Sequence, residues 1–474
     1  MSARRIGPDV LYGTVADLGH GMRAGEHTSV ELAEAYLARL ERFGPSLNAV
    51  AAVTRERALE AARTADAELA GGRDRGPLHG IPYGVKDLVA ARGYPTTWGA
   101  VPYRDQVFDE DATVVRRLDE AGAILIAKLA SVELAGGMGY EQADASLTGP
   151  GRNPWNQEAW SGGSSSGPGA AVAAGLVGFA IGTETWGSIV TPASFCGVSG
   201  LRPTYGRVSR HGAMALSWTM DKIGPMCRSA EDCWIVLRAI AGPDPADPTV
   251  VDRDLLDSRY VSGGRPIAPG RPRLAVLKGT GEKEQESVRE NFARSLDLLA
   301  TYAEIDEVEL PDLPYGAVAG TIIRAEVASA FEELIDSGRV TELTAPEDRI
   351  KPYGGQVVLA KDYINALRVR KKVQRALDDT LAPFDALVGP TRAAVANPID
   401  VRFSEYFDEF DGPSIGGAAN AAGIPAITVP NGFGERGLPT GLQFTGRAWD
   451  EAAVLGLAME FQRRTDWHRR HPEL

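Results

Sequence analysis

The sequence is poor in cysteine and histidine, with three of the first and six of the second among 474 residues. Cys196, Cys227 and Cys233 are too few and too irregularly spaced for a disulfide framework or a zinc site. We therefore expect reduced thiols, no metal and no cofactor. The scarcity of histidine also narrows the choice of catalytic base, because His79 and His211 lie outside the glycine-rich loops described below.

Long apolar runs and an excess of positive charge are also missing. No stretch approaches the roughly 18 apolar residues that span a membrane, and the N-terminal MSARRIGPDVLYG has no apolar segment that would make it a signal peptide. The 50 basic and 63 acidic side chains give a net charge of -13, which argues against nucleic acid or an anionic membrane as a partner. We therefore expect a cytoplasmic monomer or homodimer with a small-molecule substrate.

The composition is otherwise that of a large globular protein, since 44% of the residues are apolar. Short apolar runs alternate with amphipathic segments, a pattern typical of α/β proteins. We predict a large mixed, mainly parallel twisted sheet covered by helices on both faces. Long helices are predicted at about 284–303, 317–337 and 357–381.

Two serines lie in glycine-rich loops within the stretch SGGSSSGPGAAVAAGLVGFAIGTETWGSIVT, residues 161–191. Glycines before Ser164 allow a bent loop that a β-carbon would forbid. Gly187 precedes Ser188 in a second tight loop, where consecutive backbone N–H groups can converge on one point, as an oxyanion requires. A helix and a strand between the two loops would bring the serines together. We therefore predict that Ser188 is the nucleophile and that Ser164 lies beside it.

A serine hydroxyl needs a base to remove its proton, and the candidate is a lysine rather than a histidine. Lys86 lies in the apolar run IPYGVKDLVA. Burial disfavours the charged form of a lysine and lowers its pKa by up to about 3 to 5 units. Lys86 could therefore accept a proton, with one serine relaying it from the other.

These residues resemble the amidase signature family. The resemblance is carried by GPLHGIPYGVKD, the GGSSSG loop, GTETWGSIVTPASFCGVSGLRPTYGRVSRHG, DKIGP, NAAGIPAITVPNGF and GLPTGLQFTGR, from about residue 29 to about residue 460. It implies an amidase signature fold with Lys86 as base, Ser164 as the bridging serine of a cis peptide and Ser188 as nucleophile. It also implies an oxyanion hole formed by the backbone N–H groups of Thr185, Trp186, Gly187 and Ser188.

The same resemblance implies a domain organisation. One amidase signature domain would span residues 1–474, with a catalytic core segment at 70–230. A variable helical segment at 270–385 would shape the substrate entrance.

Two places depart from the family pattern. Trp186 stands where relatives usually carry glycine, and GGMGYEQADA replaces a loop that is usually richer in serine and threonine. Both places are expected to face the bound acyl group. Gly137, Met138, Gly139 and Trp186 are therefore predicted substrate contacts.

By this resemblance the protein is a serine hydrolase that cleaves C–N bonds of small amides or carbamates through an acyl-enzyme. The expected substrates are of the aryl amide, anilide or urethane type. One branch of the family hydrolyses glutamine inside a tRNA-dependent amidotransferase, and membership of that branch is the alternative. A catalytically idle binding protein is a third possibility, against which the presence of all three reacting residues argues.

A different serine would be the nucleophile if the loop belonged to an α/β-hydrolase. Residues 163–167 satisfy the pattern GxSxG with Ser165 at its centre. That arrangement needs a strand immediately before the loop, and NPWNQEAW is a poor strand sequence. Asp221 and Arg202 are predicted to brace the loops rather than to react.

Overall fold

The computed structural model describes residues 6–474, which contain fifteen strands and fourteen α-helices. The strands are β1 (Val50–Val53), β2 (Pro82–Lys86), β3 (Ile124–Leu129), β4 (Arg152–Asn153), β5 (Asn156–Trp160), β6 (Phe179–Glu184), β7 (Ser199–Arg202), β8 (Lys222–Cys227), β9 (Val261–Ser262), β10 (Arg265–Pro266), β11 (Arg273–Leu277), β12 (Glu304–Val308), β13 (Ala386–Pro390), β14 (Ala426–Phe433) and β15 (Pro439–Thr445). The helices are α1 (Val15–Arg23), α2 (Ser29–Leu47), α3 (Arg55–Ala70), α4 (Thr113–Glu120), α5 (Ser166–Ala173), α6 (Val190–Cys196), α7 (Ala230–Ile240), α8 (Glu286–Ala300), α9 (Tyr315–Ala330), α10 (Glu332–Asp336), α11 (Ala360–Leu381), α12 (Phe403–Phe407), α13 (Gly416–Ala422) and α14 (Glu451–Arg463).

Eleven of the strands form one sheet, in the order β1-β3-β2-β6-β8-β7-β14-β15-β13-β11-β12. Every residue of β2, β3 and β6 is buried. Because successive side chains of a strand point to opposite faces, both faces of the sheet are covered there. The predicted large mixed sheet is confirmed.

The predicted predominance of parallel pairing is wrong. Only four of the ten neighbouring pairs are parallel: β3–β2 and β2–β6 at one end, β13–β11 and β11–β12 at the other. The six pairs between and beyond them are antiparallel. Antiparallel neighbours need no crossover helix, and the connections at residues 203–221 and 434–438 contain no α-helix. The apolar runs of these buried strands did not reveal their direction.

Two parallel neighbours position the site. The register pairs Tyr83 with Phe179 and Val85 with Ile181, so the carboxyl ends of β2 and β6 lie at the same edge of the sheet. Lys86 is the last residue of β2, and the loop with Ser188 follows β6 directly. The α5 helix, which begins just after Ser164, packs against both strands.

The middle helices pack on the far end of the sheet. Side chains of α9, α11 and α13 form a cluster with Ala275 of β11 and Leu387 of β13. The predicted helix at 317–337 is in fact two helices, because Phe331 adopts a non-helical backbone between α9 and α10. Within residues 6–474, no helix has the length and apolar character needed to cross a membrane.

Candidate active site

Lys86 is fully buried, and its partners are hydroxyl groups. Its Nζ lies 2.7 Å from Ser164 Oγ and 2.9 Å from Thr183 Oγ1. Within residues 6–474, no carboxylate forms an ion pair with it. Burial lowers the pKa of Lys86 to about 7, although the more distant charges of Asp221 and Glu184 act in the opposite direction. A lysine in this environment is substantially neutral at physiological pH and can accept a proton.

The neighbouring strand shows what a structural buried lysine looks like in the same protein. Lys128 of β3 is also buried, but its Nζ lies 2.9 Å from Asp87 Oδ1 and 2.6 Å from Thr96 Oγ1. Burial lowers the pKa of Lys128, and the charge and hydrogen bond of Asp87 act in the opposite direction. Lys86 therefore differs from Lys128 in having no carboxylate partner among the described residues.

Ser164 lies in a tightly packed loop. The Gly163–Ser164 peptide is cis, as the resemblance implied. A β-carbon at Gly163 would lie 2.6 Å from the Trp160 ring, and Gly162 has φ +85°, so both positions require glycine. The carbonyl of Ser164 accepts hydrogen bonds from Val132 N–H and from the Ser131 hydroxyl. The loop is thereby fixed with the Ser164 hydroxyl against Lys86.

Ser188 lies in the second loop, beside the first. Ser165 N–H donates to the Ser188 carbonyl at 3.2 Å, which holds the two loops together. Gly187 has φ +82°, a conformation that favours glycine. Ser188 is 8% exposed, and no group within residues 6–474 hydrogen-bonds to its hydroxyl. The Ser188 hydroxyl is therefore free to meet a substrate.

The backbone N–H groups of this loop are also unoccupied. Among the described residues, those of Thr185, Trp186, Gly187 and Ser188 donate no hydrogen bond to another protein group. Several free donors in one short loop are what an oxyanion requires. We call residues 185–188 the oxyanion loop.

Glu184 anchors both ends of this loop. It is fully buried at the end of β6, and one of its oxygens accepts hydrogen bonds from the N–H groups of Ile189 and Val190. The other lies 2.9 Å from Arg202 Nη1. These contacts lower the pKa of Glu184 despite its burial. Arg202, predicted to brace the loops, thus contacts Glu184 directly. The sequence analysis did not identify Glu184. The available signal was a carboxylate immediately before the predicted oxyanion residues.

Replacing Glu184 with glutamine should cost both stability and activity. Glu184→Gln leaves the buried Arg202 without a counter-charge, so we expect the free energy of unfolding to fall by about 3–5 kcal/mol. The turnover number should fall as well, because the loop loses its anchor. A matched control is Glu451→Gln, which breaks another buried pair, with Arg207 at 2.8 Å, away from the loop. Urea unfolding and kcat would be measured on both; a Glu184 variant with wild-type kcat would contradict this role.

Trp186 and the glycine segment at 137–139 face different surroundings. The Trp186 indole is 42% exposed and lies over Gly316, Gly416 and Gly417. It borders a cavity of about 80 Å³ together with Gly187 and Thr191. The absence of a β-carbon at Gly417, where one would lie 3.2 Å from Trp186 Cζ2, leaves room for the flat ring.

The Met138 side chain is buried against Leu88, Met214 and Leu216, and Gly137 faces Leu216. A second cavity, of about 220 Å³, is bounded by Ala135, two residues before Gly137, and by Thr183 and Thr185. Gly139 is covered by the aliphatic part of Lys351. The structure therefore does not bring Trp186 and residues 137–139 to the wall of one cavity.

Thr183 is a site residue that the sequence did not single out. Besides its contact with Lys86, its carbonyl accepts a hydrogen bond from the Ser165 hydroxyl at 3.2 Å.

Ser165 is fully buried and therefore poorly placed as a nucleophile. The residues before its loop do form a strand, β5, contrary to expectation, but it pairs with β4 in a two-stranded sheet and is not part of the main sheet. Within residues 6–474, no three His, Cys, Asp or Glu side chains are grouped so that they could hold a metal ion.

Comparison with known proteins identifies the family of the chain. The model of the Amidase family matches residues 31–455. A glutamyl-tRNA(Gln) amidotransferase subunit of Roseiflexus sp. (strain RS-1) is 38% identical, over 97% of this chain and 98% of the relative. The native peptide amidase of Stenotrophomonas maltophilia superimposes with a TM-score of 0.83 at 34% identity, over 97% of this chain and 98% of its own.

A second solved structure, the corresponding glutamyl-tRNA(Gln) amidotransferase subunit of Thermotoga maritima, has a TM-score of 0.78 at 28% identity and covers 99% of both chains. The peptide amidase and the amidotransferase protein thus share the whole fold with this chain. A family model that covers most of the sequence carries more weight than any one relative. On these grounds the chain belongs to the amidase family, that is, to the amidase signature enzymes, and is an enzyme of the C–N hydrolase type.

Proposed function

We propose that this protein hydrolyses amides or carbamates through an acyl-enzyme on Ser188, with Ser164 as proton relay and Lys86 as base. The observation that carries the proposal is the environment of Lys86: a buried lysine, bonded to two hydroxyls and to no carboxylate among the described residues, with a pKa of about 7. A charged lysine would be costly at this position. A neutral one can receive the serine proton.

The proposed reaction uses these groups in turn. Ser188 Oγ attacks the carbonyl carbon while its proton passes to Ser164 Oγ, and the Ser164 proton passes to Lys86 Nζ. The negative charge that develops on the carbonyl oxygen is stabilised by the free N–H groups of residues 185–188. The relay then reverses: the leaving nitrogen takes a proton and departs as an amine, and the acyl group stays on Ser188. Water repeats the cycle and releases the acid.

The domain organisation is part of the same proposal. The family match over residues 31–455 supports a single amidase signature domain over 1–474. The three groups that react lie within 70–230, the proposed catalytic core segment. The helices of 270–385 supply one neighbour of Trp186, Gly316 at the start of α9, which supports a role for this variable segment at the substrate entrance.

The substrate class we propose is that of neutral aryl amides, anilides or urethanes. Trp186 adds a large apolar surface beside Gly187 of the oxyanion loop, and aromatic rings stack favourably on such a surface. Gly137, Met138 and Gly139 are proposed to contact the other side of the substrate, where Ala135 borders the cavity of about 220 Å³. A screen of aryl amide, carbamate and glutamine substrates on the isolated chain tests the function directly.

The Trp186→Gly variant is expected to lose the aromatic preference. The ratio of kcat/KM for an anilide to that for a small aliphatic amide should fall by about 2- to 10-fold, because a stacking contact is worth roughly 0.5–1.5 kcal/mol beyond the area it buries. A companion variant is Gly417→Ala, whose added carbon would lie 3.2 Å from Trp186 Cζ2 and would displace the ring without removing it. In Gly417→Ala the ratio of the two kcat/KM values should fall less than in Trp186→Gly. An unchanged ratio in Trp186→Gly, with a lower melting temperature, would show that the indole only packs.

A glutamine-hydrolysing component of an amidotransferase is the second candidate. The observation in its favour is the 38% identity, over nearly all of both chains, to a protein named as part of a glutamyl-tRNA(Gln) amidotransferase. Trp186 in the oxyanion loop weighs against it, because glutamine carries charged α-groups that gain little from an indole. Glutaminase activity that exceeds anilide and carbamate hydrolysis would favour this candidate over the first.

A further inference from the structure

We propose that Asp221 is a positioning residue for the oxyanion loop and that Glu326 of the middle helices holds the segment that carries Asp221. The inference rests on the proposed function, because it concerns how the same loop is kept in place. It gives the helical segment 270–385 a mechanical connection to the reacting groups.

The first link is between Asp221 and Thr185. Thr185 Oγ1 donates to Asp221 Oδ1 at 2.5 Å, so the first residue of the oxyanion loop is tied by its side chain. The other oxygen of Asp221 accepts from Leu216 N–H at 2.8 Å and from Ser217 N–H at 2.9 Å. Asp221 is buried, and among residues 6–474 no lysine or arginine forms an ion pair with it. Asp221 therefore joins the oxyanion loop to the loop that contains Leu216 and Ser217.

A second contact acts on the peptide that follows Thr185. Lys222 Nζ lies 3.4 Å from the Thr185 carbonyl and 2.5 Å from the Met220 carbonyl. In a trans peptide the carbonyl and the next N–H point in opposite directions. Holding the Thr185 carbonyl toward Lys222 therefore turns the Trp186 N–H to the other side, away from Lys222, where an oxyanion could meet it.

Glu326 provides the link to the middle helices. This α9 side chain accepts hydrogen bonds from Ser217 Oγ, Thr219 N–H and Thr219 Oγ1, at 2.5, 3.1 and 2.9 Å. Tyr363 of α11 donates to the same carboxylate at 2.8 Å. Arg370 of α11 donates to the Thr219 carbonyl at 2.7 Å. The segment 216–221 is therefore held between the middle helices and the oxyanion loop.

Asp221 also acts on Lys86 through its charge. Its negative charge raises the pKa of Lys86 against the effect of burial, as that of Glu184 does. Arg202 and Lys222 are the cationic groups that act on Glu184, and Lys222 and Arg210 are those that act on Asp221. Removing the charge of Asp221 while keeping its shape should therefore lower the pKa of Lys86. This effect separates Asp221 from a residue that only packs.

The experiment compares Thr185→Val, Thr185→Ser and Asp221→Asn with the wild type, on an anilide or carbamate that the enzyme turns over. Valine keeps the shape of threonine but cannot bond to Asp221. We expect kcat to fall by about 10- to 100-fold, less than the roughly 10²- to 10³-fold that follows loss of a whole oxyanion donor, while KM changes by less than about threefold. Serine restores the hydroxyl, so Thr185→Ser should recover most of the lost kcat.

Asp221→Asn should lower kcat and move the acid limb of the kcat/KM profile to lower pH. Glu326→Gln should lower kcat less and leave the acid limb in place, because its charge does not act on Lys86. Wild-type kcat in Thr185→Val, or an unmoved acid limb in Asp221→Asn, would overturn the inference. Ser188→Ala in the same assay distinguishes failure of this inference from failure of the proposed function. Activity that survives in Ser188→Ala refutes the proposed function itself.

Discussion

Ser188→Ala is expected to lower kcat by about five to six orders of magnitude, the scale on which removal of a catalytic serine acts. The fold should be unaffected, because the Ser188 hydroxyl makes no hydrogen bond to another group within residues 6–474. KM should change little, since the oxyanion loop and the cavity walls remain. The measurement is steady-state kinetics on an anilide, with circular dichroism to check the fold.

Covalent labelling identifies the nucleophile independently. A fluorophosphonate should modify Ser188 in the wild type and nothing in Ser188→Ala, as mapped by mass spectrometry. Ser165→Ala is the matched control: this serine satisfies the GxSxG pattern, but its hydroxyl is buried against the Thr183 carbonyl. The control should label as the wild type does. An adduct on Ser165 would contradict the assignment and favour the α/β-hydrolase interpretation.

Lys86→Met is expected to lower kcat by roughly 10³- to 10⁵-fold, somewhat more than the usual contribution of a general base, because the relay has no substitute acceptor. In the wild type, kcat/KM should fall as the pH drops below about 7, the pKa of Lys86, since only the neutral amine accepts a proton. Activity should therefore rise toward mildly alkaline pH. If Lys86→Met kept the wild-type rate, the base would have been misidentified.

A control for this prediction is Lys222→Met. Lys222 is another buried lysine whose pKa falls to about 7, but its Nζ contacts carbonyl groups rather than serines. Its replacement should disturb the oxyanion loop and lower kcat modestly. An acid limb near pH 7 should persist in Lys222→Met. Loss of the limb in that variant instead would move the role of base to Lys222.

The same pKa shift makes a prediction about stability. The folded chain holds Lys86 at a pKa of about 7, against 10.5 for an ordinary lysine, so between these values the unfolded chain binds more protons. The free energy of unfolding then rises with pH across this window, and the penalty is complete below about pH 7. At about 1.4 kcal/mol for each pKa unit, Lys86→Met should remove a pH dependence of several kcal/mol. Urea unfolding at pH 6 and pH 9 measures it.

Much of the site was predictable because its residues are close in sequence to glycines and apolar runs. Lys86 ends a strand whose other residues are apolar or small, so its burial and lowered pKa follow from the neighbours. The cis peptide before Ser164 was implied by the family resemblance. The start of α2 is another local feature: residues 28–31, TSVE, form a capping box, a pattern that is visible in four consecutive residues of the sequence.

The sequence could not supply the partners that come from distant parts of the chain. Thr183 meets Lys86 across 97 positions, and Asp221 meets Thr185 across 36; a hydroxyl or a carboxylate shows nothing in the sequence about which group it will contact. The direction of the strands was hidden for a similar reason. A buried strand is apolar on both faces whether its neighbour is parallel or antiparallel.

The sequence by itself determined the local chemistry of this protein: two serine loops that need glycine, a lysine in an apolar strand, and a composition that favours a globular α/β enzyme. Only the tertiary structure decided how these parts act together. It placed Lys86 between Ser164 and Thr183 without a counter-charge among the described residues, left the N–H groups of the oxyanion loop free, and put Trp186 beside a cavity of about 80 Å³ that residues 137–139 do not line. The physical reason is that burial, charge pairing and cavity shape depend on which surfaces meet, and the sheet brings those surfaces together from residues far apart in the chain.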